Sequence, residues 1–175
     1  MTLNHSSKYS ELTEQHFSAI GKIVVEWSNI ESCLGTILSR LSFSPDLIGS
    51  IISNELNAVK LHNSVVKAID VQRDLYENHF IPEETLKEIE NALMRMNAIR
   101  VKRNKLSHFL WCRSSDSHIF GFNPIGILAS NPKIHKAFQS FSVDDLVSLH
   151  HTAYGLVEDL IKIIEKLPRH GIDER

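Results

Sequence analysis

Apolar side chains recur at intervals of three and four residues over most of the chain, the pattern of helices with one buried face. The first such segment runs from about Leu12 to Leu41. Ser10 or Thr13 can cap its start, because a hydroxyl oxygen accepts a hydrogen bond from the free amides of a first turn. Its predicted buried residues are Ile20, Val24, Trp27, Leu34, Leu38 and Leu41.

A second periodic segment opens at Ser44-Pro45, where a capping serine precedes a proline suited to the first helical position. Asn57 interrupts the apolar period, so this segment predicts either one kinked helix or two helices. Its apolar positions are Ile48, Ile51, Ile52, Val59, Val66, Ile69 and Tyr76.

Two more helices are predicted in the second half of the chain. One begins at Pro82, whose two following glutamates favour the positive end of a helix dipole, and continues to about Ser107. The last begins at Ser142 in a sequence that resembles a capping box, and Pro168 and Gly171 stop it. Its predicted buried residues are Leu146, Val147, Ala153, Tyr154, Val157, Leu160, Ile161 and Ile164.

The apolar pattern changes between residues 109 and 141. Two short apolar runs, 109–112 and 119–122, flank a polar run with turn-forming residues, which is typical of a β-hairpin. The sequence therefore predicts an all-α fold, an up-and-down bundle of four or five helices with a short irregular or β-hairpin insertion before the last helix.

Composition fits one domain with a real core, since 42% of the 175 residues are hydrophobic and 23% are charged. We predict a flexible N-terminus over residues 1–10, a single helical domain over residues 11–168, and a C-terminal tail over residues 169–175. Long apolar runs that could be a signal peptide or a membrane span are missing from the sequence. These features predict a cytoplasmic protein without a membrane partner.

Cysteine and histidine spacing indicates no bound ion. Cys33 and Cys112 are too few for a disulfide framework and lack the CxxC spacing of a zinc site. His150 and His151 are adjacent, so they point about 100° apart on a helix and make a poor ligand pair. We therefore predict neither a metal nor a cofactor.

Charge is unevenly distributed along the chain. Residues 91–115 contain no Asp or Glu and carry six basic side chains, so this segment has a formal charge of +6 and the remainder −8. A local positive field on an acidic body attracts a polyanion or an acidic partner. A solvated basic helix face that balances acidic neighbours is the alternative, and the charge pattern leaves both open. The basic residues are Arg95, Arg100, Lys102, Arg103, Lys105 and Arg113.

Three residues in this segment have the chemistry needed to cleave an RNA phosphodiester. The guanidinium of Arg103 suits a phosphate, and the amide of Asn104 can orient a neighbouring group. The imidazole of His108 can give or take a proton near neutral pH. On a continuous helix, however, Arg103 and His108 point about 140° apart. Either the helix ends near Ser107, or the site is completed by a second copy across a dimer axis.

Arg-Asn-x-x-x-His near the end of a basic helix, in a domain of four or five helices, resembles the HEPN superfamily (higher eukaryote and prokaryote nucleotide-binding). The family motif is an Arg followed by a His after four to six residues, often with Asn directly after the Arg. Arg103, Asn104 and His108 match it with a four-residue gap. The stretches Trp27–Glu31 and Arg103–Trp111 are also similar to small bacterial HEPN-like proteins.

This resemblance implies a homodimer with two motifs in one groove, and a metal-independent RNA endonuclease of the toxin or defence type. Arg103, Asn104 and His108 would be catalytic, RNA would be the substrate, and a cognate antitoxin protein would be a partner. Glu31 and Ser107 would be supporting residues. The alternative is a non-catalytic HEPN-like interaction module that uses the same helix as a dimer or partner surface. The expected RNA-binding residues are Arg100, Lys102, Lys105 and Arg113.

Structural roles for the same residues stay open. His108 could be a partly buried imidazole bonded to a backbone carbonyl. Arg103 could pair with Glu31, which falls between apolar positions of the first helix. A carboxylate on a buried face usually requires a cationic or donor partner.

Overall fold

A computed structural model of the chain describes residues 11–74, 80–124 and 138–170. This part is mostly helical, with five helices and three strands that precede the last helix. The elements in chain order are α1 (Glu14–Leu41), α2 (Asp46–Glu55), α3 (Ala58–Asp74), α4 (Glu83–His108), β1 (Leu110–Arg113), β2 (His118–Phe122), β3 (Phe138–Ser142) and α5 (Val143–Lys166).

Local side-chain contacts fix several helix starts. At α5, the Asp145 backbone amide donates to the Ser142 hydroxyl oxygen at 3.0 Å, and the Ser142 amide and hydroxyl donate to the Asp145 carboxylate at 2.9 and 2.8 Å. The predicted capping box is therefore confirmed. The hydrogen bonds from Ser142, that from the backbone amide first, lower the pKa of Asp145.

The chain breaks at Asn57, as the sequence predicted, and two helices result. α2 ends at Glu55, and the Asn57 side-chain oxygen accepts a hydrogen bond from the Lys60 amide at 3.0 Å near the start of α3. At the start of α2 the prediction was wrong by one position. Pro45 is the capping residue itself, in extended backbone and without a side-chain cap.

The three strands form one antiparallel sheet in the order β1-β2-β3. Leu110 pairs with Phe122 and Phe122 with Phe138, so these three side chains share one face. The predicted β-hairpin is confirmed by the β1–β2 pairing. The third strand was not predicted, and residues 125–137 of the predicted insertion lie outside the described part of the chain.

The backbone groups into two compact units. Among the described residues, one unit, here called the sheet unit, comprises residues 11–25, 99–124 and 138–152, and the other, the helical unit, comprises residues 26–74, 80–98 and 153–170. α1, α4 and α5 contribute residues to both. The single domain proposed for residues 11–168 stays a prediction. Residues 1–10 of the predicted flexible N-terminus and residues 171–175 of the predicted tail lie outside the described residues.

Each unit has its own buried apolar side chains. In the sheet unit these come from helices and sheet together: Ala19, Ile23, Ile99, Leu106, Ile119, Phe141, Leu146 and Leu149. In the helical unit they come from helices and include Trp27, Ile30, Leu34, Ile37, Leu61, Ile69, Leu86, Ile89, Met96, Leu156 and Leu160.

A close approach of two helices shapes the helical unit. A Cβ added to Gly49 on α2 would lie 2.1 Å from the Gly35 carbonyl oxygen on α1, and one added to Gly35 would lie 2.6 Å from the Gly49 oxygen. Only residues without a side chain permit this distance. α2 thus packs on α1 through backbone at this point.

Several predicted buried positions are exposed. On α2, Ile48 and Ile51 are 42% and 54% exposed, because Gly49 forms the close contact of this helix with α1. On α3, Val59 is 45% exposed. On α1 the buried residue is Ile23, and the predicted Val24 is exposed. On α5 the exposed residues are Val147, Tyr154 and Ile161, each directly after a buried residue.

Candidate functional site

The last turns of α4 carry the predicted catalytic residues. α4 is helical through His108, and the Phe109 amide donates to the Lys105 carbonyl oxygen at 3.0 Å, one helical step further. α4 thus ends one residue after the predicted end near Ser107, and Arg103 and His108 both lie within the continuous helix. Five residues of continuous helix turn by about 500°, so the side chains of Arg103 and His108 leave the helix on different sides. Within one chain the structure does not bring them together.

Arg103 and Asn104 are half-buried neighbours in contact. The Nη1 of Arg103 donates to the side-chain oxygen of Asn104 at 3.4 Å, a long hydrogen bond. His108 and Ser107 are exposed to solvent. The Ser107 hydroxyl donates to the Arg103 carbonyl oxygen at 3.2 Å, so this side chain makes a hydrogen bond within its own helix.

The end of α4 is attached to the sheet by two hydrogen bonds. Lys105 donates to the side-chain oxygen of Gln139 on β3 at 2.7 Å. The indole of Trp111 donates to the Leu106 carbonyl oxygen at 3.0 Å. A Cβ on Gly121, the cross-strand partner of Trp111, would lie 2.6 Å from the indole ring. Gly121 thus makes room for the ring, and the sheet holds the motif helix in place.

The other predicted RNA-binding residues differ in their surroundings. Lys102 is exposed and its charge helps to lower the pKa of Asp145, after the hydrogen bonds from Ser142. Arg113 lies 3.4 Å from the Asp116 carboxylate and 3.7 Å from that of Glu11. Arg100 is half-buried. The most accessible positive charge among these candidates is therefore Lys102.

Glu31, the second supporting residue, belongs to the helical unit. It is half-buried and lines a polar pocket of about 220 Å³ with Ser28, Ser32, Ser50, Ser53 and Asn54. The contact between Arg103 and Asn104 lies in the sheet unit. The pairing of Glu31 with Arg103 stays a prediction.

Sequence reasoning missed a buried histidine at the start of α1. His16 is fully buried, and its Nδ1 accepts hydrogen bonds from the Thr13 amide and hydroxyl at 3.3 and 2.7 Å. The proton of the neutral ring is therefore on Nε2, which is buried without a hydrogen-bond partner among the described residues. Burial first, and then the charge of Arg113, lower the pKa of His16. The spacing Thr-x-x-His at a helix start was the available signal.

Sequence reasoning also missed a buried arginine in the helical unit. Arg40 is 3% exposed, and its Nε and Nη2 donate to both carboxylate oxygens of Asp46 at 3.0 and 2.8 Å. Its Nη1 donates to the carbonyl oxygens of Ile164 and Leu167. Arg40 lowers the pKa of Asp46. These bonds join distant parts of the sequence, which one-dimensional patterns do not reveal.

The sheet unit also contains a pocket of about 560 Å³ lined by α1 and the start of α5. Lys22, Glu14, His150 and His151 line it, and none of the three motif residues does. The residues described form no group of three or more His, Cys, Asp or Glu side chains that could hold a metal ion.

None of the helices in the described ranges is long and apolar enough to cross a membrane. Comparisons with protein-family models, with curated proteins and with solved structures found no match.

Proposed function

We propose that this protein is a HEPN-type, metal-independent RNA endonuclease that acts as a homodimer with a composite site. The observation that best supports this proposal is at the end of α4, where an exposed His108 and an Arg103–Asn104 pair lie on one continuous helix. Their different directions on that helix favour completion of the site by a second copy. The HEPN resemblance and the predicted up-and-down bundle belong to the same proposal.

The surrounding charge supports a polyanionic substrate. Among the described residues, the sheet unit contains six Lys and Arg residues against five Asp and Glu, whereas the helical unit contains nine against thirteen. With histidines neutral, the described part of the unit that contains the motif has a formal charge of +1 and that of the other −4, and five of the six cations lie between residues 100 and 113. A positive field raises the local concentration of a phosphate chain and steers its approach.

In the proposed reaction, His108 takes the proton of a ribose 2′-hydroxyl, whose oxygen attacks the adjacent phosphorus. The bond from phosphorus to the 5′-oxygen breaks, and the leaving oxygen receives a proton from the same histidine or from its copy in the dimer. Arg103 holds the non-bridging oxygens and offsets the added negative charge of the transition state. Asn104 orients Arg103 through their contact. The products end in a 2′,3′-cyclic phosphate and a 5′-hydroxyl.

A cleavage assay in EDTA tests this proposal. We expect the purified protein to fragment RNA, and His108→Ala to slow fragmentation about a hundredfold or more. His151→Ala removes an equally exposed histidine of the same unit and should keep the activity. RNA with 2′-O-methyl riboses should remain intact, because the attacking hydroxyl is blocked. No cleavage by the folded, dimeric protein would contradict the proposal.

The interaction module is the second candidate, and one observation favours it. Val101 is 51% exposed, and it shares a helix face with Lys105 and His108, four and seven residues later. An apolar side chain between polar ones suits a protein partner. Under this alternative Val101→Asp should abolish dimerisation or partner binding, while RNA remains intact with wild-type protein.

A cytoplasmic location and a cognate antitoxin belong to the endonuclease proposal, because an unrestrained ribonuclease damages the cell that makes it. Expression of the chain alone in a bacterial host should then arrest growth, whereas His108→Ala should not. Growth arrest by both forms at equal protein levels would separate the toxicity from the proposed chemistry.

A further inference from the structure

One face of the small sheet is apolar, aromatic and open to solvent. The strand register places Leu110, Phe120 and Phe138 on this face, one from each strand, and they are 55%, 41% and 37% exposed. Trp111, Ile119 and Phe141 lie on the opposite face, where Ile119 and Phe141 are buried. We call the exposed set of Leu110, Phe120 and Phe138 the outer sheet face.

The two phenylalanines of the outer sheet face are arranged as a stacked pair. The ring centroids of Phe120 and Phe138 are 5.6 Å apart, and the ring planes are inclined by 20°. Aromatic rings presented on an open sheet receive the unpaired bases of single-stranded nucleic acid, since every base has a flat π-face. This arrangement therefore suits a ligand with planar rings.

The small size of the outer sheet face argues against a second copy of the chain as its occupant. Three strands about 4.8 Å apart and five residues long present on the order of 200–300 Å². A stable protein interface needs about 800 Å² from each partner. The face is large enough for a few bases and too small for a dimer contact of its own.

The charge of the residues near the outer sheet face also favours a ligand with planar rings and a negative backbone. β1 begins two residues after His108 of the motif and lies within residues 91–115, which carry six basic and no acidic side chains. A ligand that combines flat apolar rings with a negative backbone is a single-stranded polynucleotide. An apolar peptide would not gain from the positive field.

We infer that the outer sheet face, Phe120 and Phe138 above all, is a binding subsite that stacks unpaired bases of the bound strand. The inference rests on the proposed endonuclease, because it adds a binding subsite for the substrate of that enzyme. The rings bind bases and take no part in the chemistry.

An uncleavable probe separates binding from catalysis. A fluorescent ten-nucleotide single strand with 2′-O-methyl riboses binds without the possibility of 2′-hydroxyl attack, and its Kd is measured by anisotropy at low salt. Stacking on one ring typically contributes enough for Phe120→Leu and Phe138→Leu each to raise this Kd about fivefold or more. Leucine keeps most of the apolar bulk, and thermal melts verify that the variants fold.

Phe80→Leu is the matched control. Phe80 is 60% exposed, but it belongs to the helical unit, whose described residues have a formal charge of −4, so its substitution should leave the Kd unchanged. A duplex of the same sequence should bind more weakly than the single strand, because its bases are already stacked on each other.

The wild-type thiols give a second readout that needs no substitution. Cys112 is exposed and lies directly opposite Phe120 in the β1–β2 register, whereas Cys33 is in α1 of the helical unit. Bound oligonucleotide should slow alkylation of Cys112 several-fold and leave Cys33 unaffected.

Two results would overturn the inference. One is an unchanged Kd in both phenylalanine variants, together with unchanged Cys112 alkylation, while wild-type protein still cleaves RNA. The other is loss of the dimer in Phe120→Leu by light scattering without any loss of oligonucleotide affinity, which would make this face a protein interface. If the probe binds through these rings but unmodified RNA stays intact, the endonuclease proposal is contradicted and the base-stacking site is not.

Discussion

Arg40 and Arg73 of the helical unit differ in their contacts from Arg103 of the sheet unit. Arg40 and Arg73 each make paired hydrogen bonds to carboxylates, Arg40 to Asp46 and Arg73 to Glu83 and Glu90. Arg103 contacts the neutral amide of Asn104 at 3.4 Å. Paired hydrogen bonds from a guanidinium group to carboxylates hold parts of a fold together, whereas we propose that Arg103 binds the phosphate of the substrate.

The same contrast holds for aromatic rings. Trp27 in the helical unit is 1% exposed, and it fills a core. In the sheet unit, Phe120 and Phe138 lie stacked on the open outer sheet face. We therefore expect substitutions in the helical unit to change mainly stability, and those at the motif and the outer sheet face to change mainly activity and ligand binding. The following variants test this expectation, from the largest expected effect to the smallest.

Arg40→Met should give the largest loss of stability. It leaves the carbonyl oxygens of Ile164 and Leu167 without their donor, and an unsatisfied buried acceptor costs about 1–3 kcal/mol of unfolding free energy each. The Asp46 carboxylate is 45% exposed, so water can replace its lost partner. Arg95→Met is the control, because Arg95 and Asp159 form an exposed pair worth about 1 kcal/mol or less. Urea unfolding measures both. Equal, small losses would show that Arg40 does not hold the helical unit together.

Gly49→Ala should cost about 1–3 kcal/mol, because the added Cβ must displace the backbone of α1. Gly155→Ala is the matched control. Gly155 lies inside α5 with nothing within 4 Å of an added Cβ, so alanine there should raise the unfolding free energy by up to about 1 kcal/mol. Thermal melts of the two variants should therefore move in opposite directions, and a stabilised Gly49→Ala would refute the close helix contact.

Acid should destabilise the protein through His16. Its pKa in the folded state lies below the ordinary value of 6.5, so the unfolded chain binds the proton more readily. The contribution of neutral His16 to the unfolding free energy is complete above the pKa that this residue has in the unfolded chain. It is lost as the pH falls through the pKa of the folded state, at no more than about 1.4 kcal/mol per pH unit. Unfolding at pH 7.5 and 5.5 should show a larger drop for wild type than for His16→Leu. Parallel curves would contradict this role. Arg113, Asp116 and His118, which act on the same ring, remain in both proteins.

Arg103→Ala should have the smallest effect on stability and a large effect on activity. If Arg103 binds phosphate, the variant loses cleavage while its unfolding free energy changes by less than about 1 kcal/mol, as at an ordinary surface position. Glu31→Gln and the double variant complete a cycle. Strong coupling between the two, with both single variants destabilised by about 3 kcal/mol or more, would support the structural pairing and exclude the phosphate role.

The predictable parts of this fold are those set by neighbouring residues. The capping box at Ser142, the break at Asn57 and the β-hairpin after Phe109 each depend on contacts within a few positions. The third strand was missed because its pairing with β2 joins segments that the sequence separates by fifteen residues, 123–137. The apolar face of α2 was misplaced because the contact that orients it is a glycine, which carries no hydrophobic signal.

For the candidate site, the sequence identified the residue types and left their geometry open. It predicted a helix to about Ser107, and α4 ends one residue later at His108. The sequence left open whether Arg103 and His108 converge within one chain. The partners of His16 and Arg40 depend on tertiary contacts, and neither residue stood out in the sequence. The outer sheet face required the register of all three strands, one of which was not predicted.

Mixing two inactive variants tests the composite site most directly. Arg103→Ala and His108→Ala should each be inactive, but a mixed dimer contains one site with an intact Arg103 from one copy and an intact His108 from the other. After subunit exchange, an equal mixture should recover about a quarter of wild-type cleavage, since half of the dimers are mixed and each has one working site of two. Light scattering should show that the mixture contains dimers of about twice 19.9 kDa. If such a mixture recovers no cleavage while the wild-type protein cleaves RNA, the composite site is contradicted.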